Sequence, residues 1–311
     1  MSSPFSVLSL KDRTKDLEQF SHDLGSNFTE WGFCGLVDHE VDKSLVTEVL
    51  GICEEFFNFD QETKLKYYDP KLGGSRGYTP YKTETPKGGT LPDMKEFWHV
   101  GREIESDHAY RRWMPENFSV SEISNFNLKT NELYRQFDVL GKKLLQSIAL
   151  YLSLNDKFFD SSVDKGNSIM RPIHYPPVSI TETGERAGAH EDINLITLLI
   201  GGHQSGLELL TKAGEWKKIN LNDEVIVCNI GDMLQRLTNN TMLSTTHRVT
   251  ASPNESRSSR YSIPFFVHPN PDWYIETLDS CYSDLNPNLY PKGILAEDYL
   301  RERLQEIKLI K

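Results

Sequence analysis

Between residues 168 and 267 the sequence breaks into seven short apolar runs, rich in β-branched and aromatic residues and separated by turn formers. No other feature restricts the fold as tightly. The runs fall at 168–175, 194–200, 207–210, 216–219, 225–230, 245–250 and 261–267. Strands this short and this often interrupted read as a sandwich or a barrel. The rest of the chain must then cover the apolar faces that such a sheet leaves open.

The flanking sequence is helical in period. Leu17, Phe20, Leu24, Phe28 and Trp31 recur at steps of three and four, which predicts a helix over 15–31 with one apolar face. A second stripe runs through Leu45, Val49, Cys53 and Phe56 with Asp42 as its N-cap, a long third helix is expected over 121–154, and a last one over 296–307. Between the second and third helices, residues 71–102 hold six glycines and three prolines, so they read as a long loop with short strands. No linker separates the halves. The expectation is one domain over 1–311, with a helical region 1–155 containing the 71–102 loop, a β core over 165–270 and a C-terminal segment over 271–311.

Charge and cysteine usage limit the partners. Lys+Arg 34 against Asp+Glu 45 gives a net charge of −11, which offers no general attraction for nucleic acid or anionic lipid. Cys34, Cys53, Cys228 and Cys281 form no CxxC pair, so a thiolate metal site is not expected and a reducing cytoplasm fits best. Nothing approaches the length of a membrane span, and the N-terminus lacks the pattern of a secretory leader.

Three residues carry the chemistry. His190 and Asp192 are two apart, so on a strand they would project from one face and could hold one ion. Such a pair arises easily by chance. His247, in another β-type run, completes a set of two imidazoles and one carboxylate, the ligand set of a non-haem Fe(II) centre with open positions for a cosubstrate and O₂. Zinc is less favoured, since no HExxH-type helix motif occurs. Arg260 and Ser262 form a second pair two apart, in an apolar run where a buried guanidinium needs an anionic partner, and a fork with a hydroxyl beside it suits an organic acid. Pro264 in the same run demands an edge or an irregularity.

The ordered set His190-Glu191-Asp192, His247-Arg248-Val249 and Arg260-Tyr261-Ser262 resembles the isopenicillin-N-synthase-like group of Fe(II)/2-oxoglutarate-dependent oxygenases. The resemblance covers nearly the whole chain and extends to His174-Tyr175-Pro176-Pro177, Gly231-Asp232-Met233-Leu234 and Trp31-Gly32-Phe33. It implies an α+β fold with a mainly β core, a double-stranded β-helix of the jelly-roll or cupin-like type wrapped by N-terminal, central and C-terminal helices. It also implies that His190, Asp192 and His247 bind the iron, that Arg260 and Ser262 hold the distal carboxylate of 2-oxoglutarate, and that Tyr175 touches the same cosubstrate. The expected reaction is oxidative decarboxylation of 2-oxoglutarate to succinate and CO₂, coupled to oxidation of a small-molecule substrate, with hydroxylation as the default and desaturation or ring closure as other outcomes of the same oxidant.

The sequence departs from that pattern in three places. Arg260 follows His247 by 13 positions, a wider spacing than in plant members; Ile173 stands where many of those have Asn; and Asp38-His39-Glu40 replaces Asn-His-Gly. None removes a ligand. Two rival readings share the motif: an Fe(II) oxidase of the synthase type that does not use 2-oxoglutarate, and a metal- and acid-binding sensor without turnover. Gly231-Asp232 reads as a turn between strands, and His39, His99, His174, His203 and His268 are given no catalytic role. In the 71–102 loop six cations face three anions, against the sign of the whole chain. Ser75-Arg76-Gly77-Tyr78 resembles the place where the synthase holds a substrate carboxylate, which makes Arg76 the candidate anchor for an anionic substrate, while the loop's lysines are expected to be solvated.

Overall fold

The computed structural model describes residues 3–86, 89, 91–177, 185–201, 206–250 and 257–306. Its strands are β1 (Val7–Ser9), β2 (Phe33–Val37), β3 (Gly77–Thr79), β4 (Glu96–Gly101), β5 (Ile169–Met170), β6 (Ile173–Tyr175), β7 (Ala187–His190), β8 (Ile196–Ile200), β9 (Leu207–Leu210), β10 (Trp216–Lys218), β11 (Ile226–Ile230), β12 (His247–Val249), β13 (Arg260–Val267), β14 (Tyr274–Ile275) and β15 (Ile294–Leu295). The helices are α1 (Leu10–Lys15), α2 (Leu17–Trp31), α3 (Lys43–Phe57), α4 (Gln61–Leu65), α5 (Phe126–Tyr151), α6 (Asp232–Leu237) and α7 (Ala296–Glu306).

Two sheets face each other as the walls of a double-stranded β-helix. The larger runs β1-β2-β11-β8-β13-β5-β4-β3, with β6 joining β13 to β4, and the smaller runs β10-β9-β12-β7. Strands from the N-terminal half are thus built into the barrel wall. No helix of the described residues is long and apolar enough to cross a membrane.

Local signals explain the helix ends. Asp16 accepts the Gln19 amide at the start of α2, and Asp42 accepts those of Ser44 and Leu45 at the start of α3. Gly32 closes α2 at φ +70°, and a Cβ there would lie 2.5 Å from the Leu243 carbonyl oxygen, so both conformation and space select glycine. Helix α5 lays Leu133, Phe137, Leu140, Leu144 and Ile148 on the outer face of the larger sheet, where the Phe137 ring stacks on Phe265 at 5.4 Å. It is shorter than its periodicity predicts because Asn125 (φ +62°) and Ser153 (φ +59°) take left-handed conformations that a helix cannot continue through.

Three expectations need correction. Strand β7 ends at His190, so Asp192 lies in the loop beyond it rather than on the strand. Gly231 and Asp232 do not form a turn between strands; they open α6. The short strands expected within the 71–102 segment are present, since β3 and β4 pair there and β4 enters the larger sheet. Its lysines are not all solvated: Lys95 is buried between Glu84 and Asp93, at 2.8 Å from each. Arg102 is likewise paired, with Asp138. Of the residues counted there, Lys87 lies outside the described residues, as do His203 and, in the last predicted helix, Ile307.

The irregularity demanded by Pro264 is real. Ser262 pairs with Ile173 on β6 and Phe265 with Met170 on β5, and between them the ladder is interrupted opposite Arg171 and Pro172. Two prolines without N–H groups therefore face the gap that separates β5 from β6. The Arg171 amide still donates to the Pro264 carbonyl (2.8 Å).

Candidate active site

Pairing of β12 with β7 builds the centre. His247 is opposite His190, and their rings lie 4.4 Å apart. Register then slips, because Val249 pairs with Ala187, leaving an extra residue in β7 before His190. Asp192, carried by the loop after β7, brings Oδ1 to 3.8 Å from Nε2 of each histidine. One ligand atom from each of the three residues lies within 4.8 Å of the others. Two strands and a loop thus assemble what the spacing alone only suggested.

Each ligand is oriented by a second contact. His190 Nδ1 is 2.7 Å from the Gly188 carbonyl and His247 Nδ1 is 3.0 Å from that of Thr245. A carbonyl can only accept, so Nδ1 carries the proton and Nε2 keeps its lone pair for a metal. The Thr197 hydroxyl (2.6 Å) and the Asn229 amide (2.7 Å) both donate to Asp192 Oδ2, which leaves Oδ1 free, and Asn194 donates in turn to Thr197. Burial alone would raise the Asp192 carboxyl, but His247, His190, Asn229 and Thr197 together hold it below the usual range. Burial and the neighbouring His247 push His190 down to about 4, so it is a neutral donor near neutral pH. Sequence reasoning missed Asn194, Thr197 and Asn229, since no motif distinguishes a buried hydrogen-bond donor from an ordinary strand residue.

A cavity of about 70 Å³ lies beside the triad inside the barrel and is lined by Arg260, Ser262, Tyr175 and Ile173. Register explains the grouping: Arg260 is opposite Tyr175, and Ser262 opposite Ile173. The guanidinium is 3% exposed, lies 5.0 Å from the Tyr175 ring and donates to Ser262 Oγ at 3.3 Å. Its Nε has no partner, and no carboxylate among the described residues pairs with it. A buried, uncompensated guanidinium is costly unless an anion joins it, so this cavity fits the carboxylate of an organic acid.

A larger cavity, of about 460 Å³, opens on the other side of the triad. Its wall includes Arg76, which is 1% exposed. Arg76 Nε donates to the Pro115 carbonyl (3.1 Å) and one terminal nitrogen to that of Ser75 (2.7 Å), while the other has no partner among the described residues. Burial lowers its pKa to about 10, so it stays charged. From α7, Leu300 and Leu304 close one side. His174 and His39 hold structural contacts, the former with Glu96 and Ser259 and the latter with the Glu224 carbonyl.

The donor set also fits what known proteins share with this chain. Residues 4–122 match the family described as the non-haem dioxygenase in morphine synthesis N-terminal, and residues 166–269 match the 2OG-Fe(II) oxygenase superfamily. The 2-oxoglutarate-Fe(II) type oxidoreductase hxnY of Emericella nidulans is 31% identical over 284 residues, covering 87% of this chain and 79% of its own. Among solved structures, a 2OG-Fe(II) oxygenase family protein from Caulobacter crescentus is 43% identical with a TM-score of 0.91, over 99% of this chain and 100% of that one. A full-length Neurospora crassa protein, solved in complex with alpha-KG and 5-formyluracil, is 28% identical with a TM-score of 0.83, over 96% of this chain and 94% of that one. With the His190, Asp192 and His247 triad at the mouth of a double-stranded β-helix, this chain belongs to the 2OG-Fe(II) oxygenase superfamily and is a non-haem Fe(II)/2-oxoglutarate-dependent oxygenase.

Proposed function

We propose that this enzyme oxidises, by hydroxylation in the first instance, a small molecule that carries a carboxylate or a similar anion. His190 and His247 through Nε2 and Asp192 through Oδ1 hold one Fe(II). Arg260 grips the distal carboxylate of 2-oxoglutarate with Ser262 beside it, and the Tyr175 ring packs against the guanidinium, so the cosubstrate neutralises a charge that the barrel otherwise buries alone. When bound, iron, 2-oxoglutarate and O₂ supply the oxidising power, with succinate and CO₂ as by-products. The protein's part is to orient the ligands, to exclude water with Phe33 and Val249 along the inner wall, and to place the substrate.

The observation that carries the substrate reading is Arg76. It is a buried, charged, partly unpartnered guanidinium in the wall of the cavity that also holds His190 and Asp192. The four thiols, all buried and unpaired, suit a reducing compartment, and we place the enzyme in the cytoplasm. The test is Arg76→Ala, which should raise KM for an acidic substrate and leave iron and 2-oxoglutarate affinities unchanged. A neutral or cationic preferred substrate, or wild-type kinetics of the variant on an acid, refutes it.

A further inference from the structure

The larger cavity has a second guanidinium that the oxygenase chemistry does not account for. Arg171 sits where the ladder breaks between β5 and β6, and it lines both the 70 Å³ and the 460 Å³ cavities. Its planar group lies over two phenyl rings, at 4.4 Å from the Phe97 centroid and 5.0 Å from that of Phe266. Nε donates to His99 Nε2, and one terminal nitrogen lies 3.4 Å from the Glu84 carboxylate. Two ring contacts and two polar contacts therefore fix the group. The last nitrogen makes no hydrogen bond among the described residues, and Arg171 lines the larger cavity together with His190 and Asp192.

His99 is what aims the fork. Burial, with Arg171 beside it, keeps this imidazole well below its usual range, so it stays neutral and can accept the Nε–H. On strand β4, Phe97, His99 and Gly101 share one face. Arg171 stacks on the first and bonds the second. Arg76 lies flat on the third, where a Cβ would meet its Cζ at 1.9 Å. The two guanidinium groups thus stand at neighbouring positions of one strand face, separated by about 7 Å of strand rise.

Their charges differ in kind. Arg171 and Lys95 are balanced by Glu84 and Asp93, a closed set of two cations and two anions. Arg171 therefore offers hydrogen-bond donors without net charge to spare, whereas Arg76 has no carboxylate partner among the described residues. We infer that Arg171, positioned by His99, reads a neutral carbonyl-type acceptor on the substrate while Arg76 takes its carboxylate, so that the preferred substrate is a small monocarboxylate bearing one carbonyl acceptor. This rests on the anionic-substrate reading and adds to it a second contact and a residue that sets specificity.

Calorimetry on the full chain, loaded anaerobically with Fe(II) and 2-oxoglutarate, tests this with three probes: 4-oxocyclohexanecarboxylate, cyclohexanecarboxylate and methyl 4-oxocyclohexanecarboxylate. A hydrogen bond from a charged donor corresponds to roughly a 10- to 150-fold preference. The oxo acid should bind tighter than the plain acid by such a factor, and tighter than the ester. In Arg171→Met the oxo preference should collapse to near one while the preference for acid over ester survives; Arg76→Met should do the reverse. His99→Asn, which keeps the guanidinium but frees its Nε edge, should also lower the oxo preference. A wild type that does not favour the oxo acid, an Arg171→Met protein that keeps the preference, or one whose only change is weaker 2-oxoglutarate binding overturns the inference. Loss of the acid-over-ester preference in the wild type instead overturns the anionic-substrate reading beneath it.

Discussion

Replacing Arg260 with Gln should weaken 2-oxoglutarate binding far more than any surface charge change could. Arg260 is 3% exposed, and among the described residues its guanidinium contacts one hydroxyl at 3.3 Å and an aromatic face at 5.0 Å, with Nε unpaired. Removing one partner of a desolvated ion pair costs ~3–5 kcal/mol. At ~1.4 kcal/mol per decade, that is roughly two to three and a half orders of magnitude in Kd. Ser262 remains to donate one bond, which places the expectation toward the lower end. The assay is anaerobic titration of the Fe(II) protein with 2-oxoglutarate, with Arg257→Gln, at an exposed position, as the control. A second sign follows from the same geometry: without cosubstrate the charge is uncompensated, so Arg260→Met should raise the melting temperature of the protein free of 2-oxoglutarate, by about 2 °C for each kcal/mol relieved. Equal affinities in the Arg260 and Arg257 variants would refute the assignment. A melting temperature that falls in Arg260→Met would show that the barrel already satisfies this charge.

Other expectations concern the ligands' support and the charge network. Thr197→Val with Asn229→Leu should loosen iron binding by roughly 10- to 100-fold, measured by competition with a chelator, because Asp192 loses the two donors that hold Oδ2. Glu84 is held down to about 2, since burial, which would raise it, is outweighed by Arg171 and Lys95. A depressed carboxyl stabilises the fold above its unfolded pKa near 4.5 and loses that contribution as pH falls toward 2, so Glu84→Gln should remove up to ~3 kcal/mol of acid sensitivity from denaturant melts across that window. Gly101→Ala should displace Arg76 and weaken binding of an acidic substrate at unchanged iron affinity, which substrate and metal titrations separate. Burial pushes the Cys34 and Cys53 thiols up to about 12 and the Cys228 thiol well above its usual range, so an aromatic disulfide reagent should find these unreactive in the native protein and reactive in denaturant.

What the sequence discloses follows from where its information is local. The helix over 43–57 is legible because Asp42 and the apolar stripe act within a few residues, and α6 is not, because six residues are too few to show a period. The triad is legible as chemistry but not as geometry: His190 and His247 do meet across strands, yet Asp192 reaches them from a loop after a bulge, not by strand alternation. The charge excess of the 71–102 segment reads as solvated along the chain, and the fold instead buries Lys95 between two carboxylates, Glu84 and Asp93. Arg171 and His99 escape notice for the same reason. Their roles depend on a ladder gap and on rings from two strands, and no spacing along the chain records that.

The most direct test is diffraction at the iron absorption edge from crystals grown anaerobically with Fe(II) and 2-oxoglutarate. One anomalous peak per chain should lie among His190 Nε2, His247 Nε2 and Asp192 Oδ1, at ~2.0–2.2 Å from each. The distal carboxylate should rest on Arg260 and Ser262. An anomalous peak elsewhere, or 2-oxoglutarate bound away from Arg260, would contradict the account.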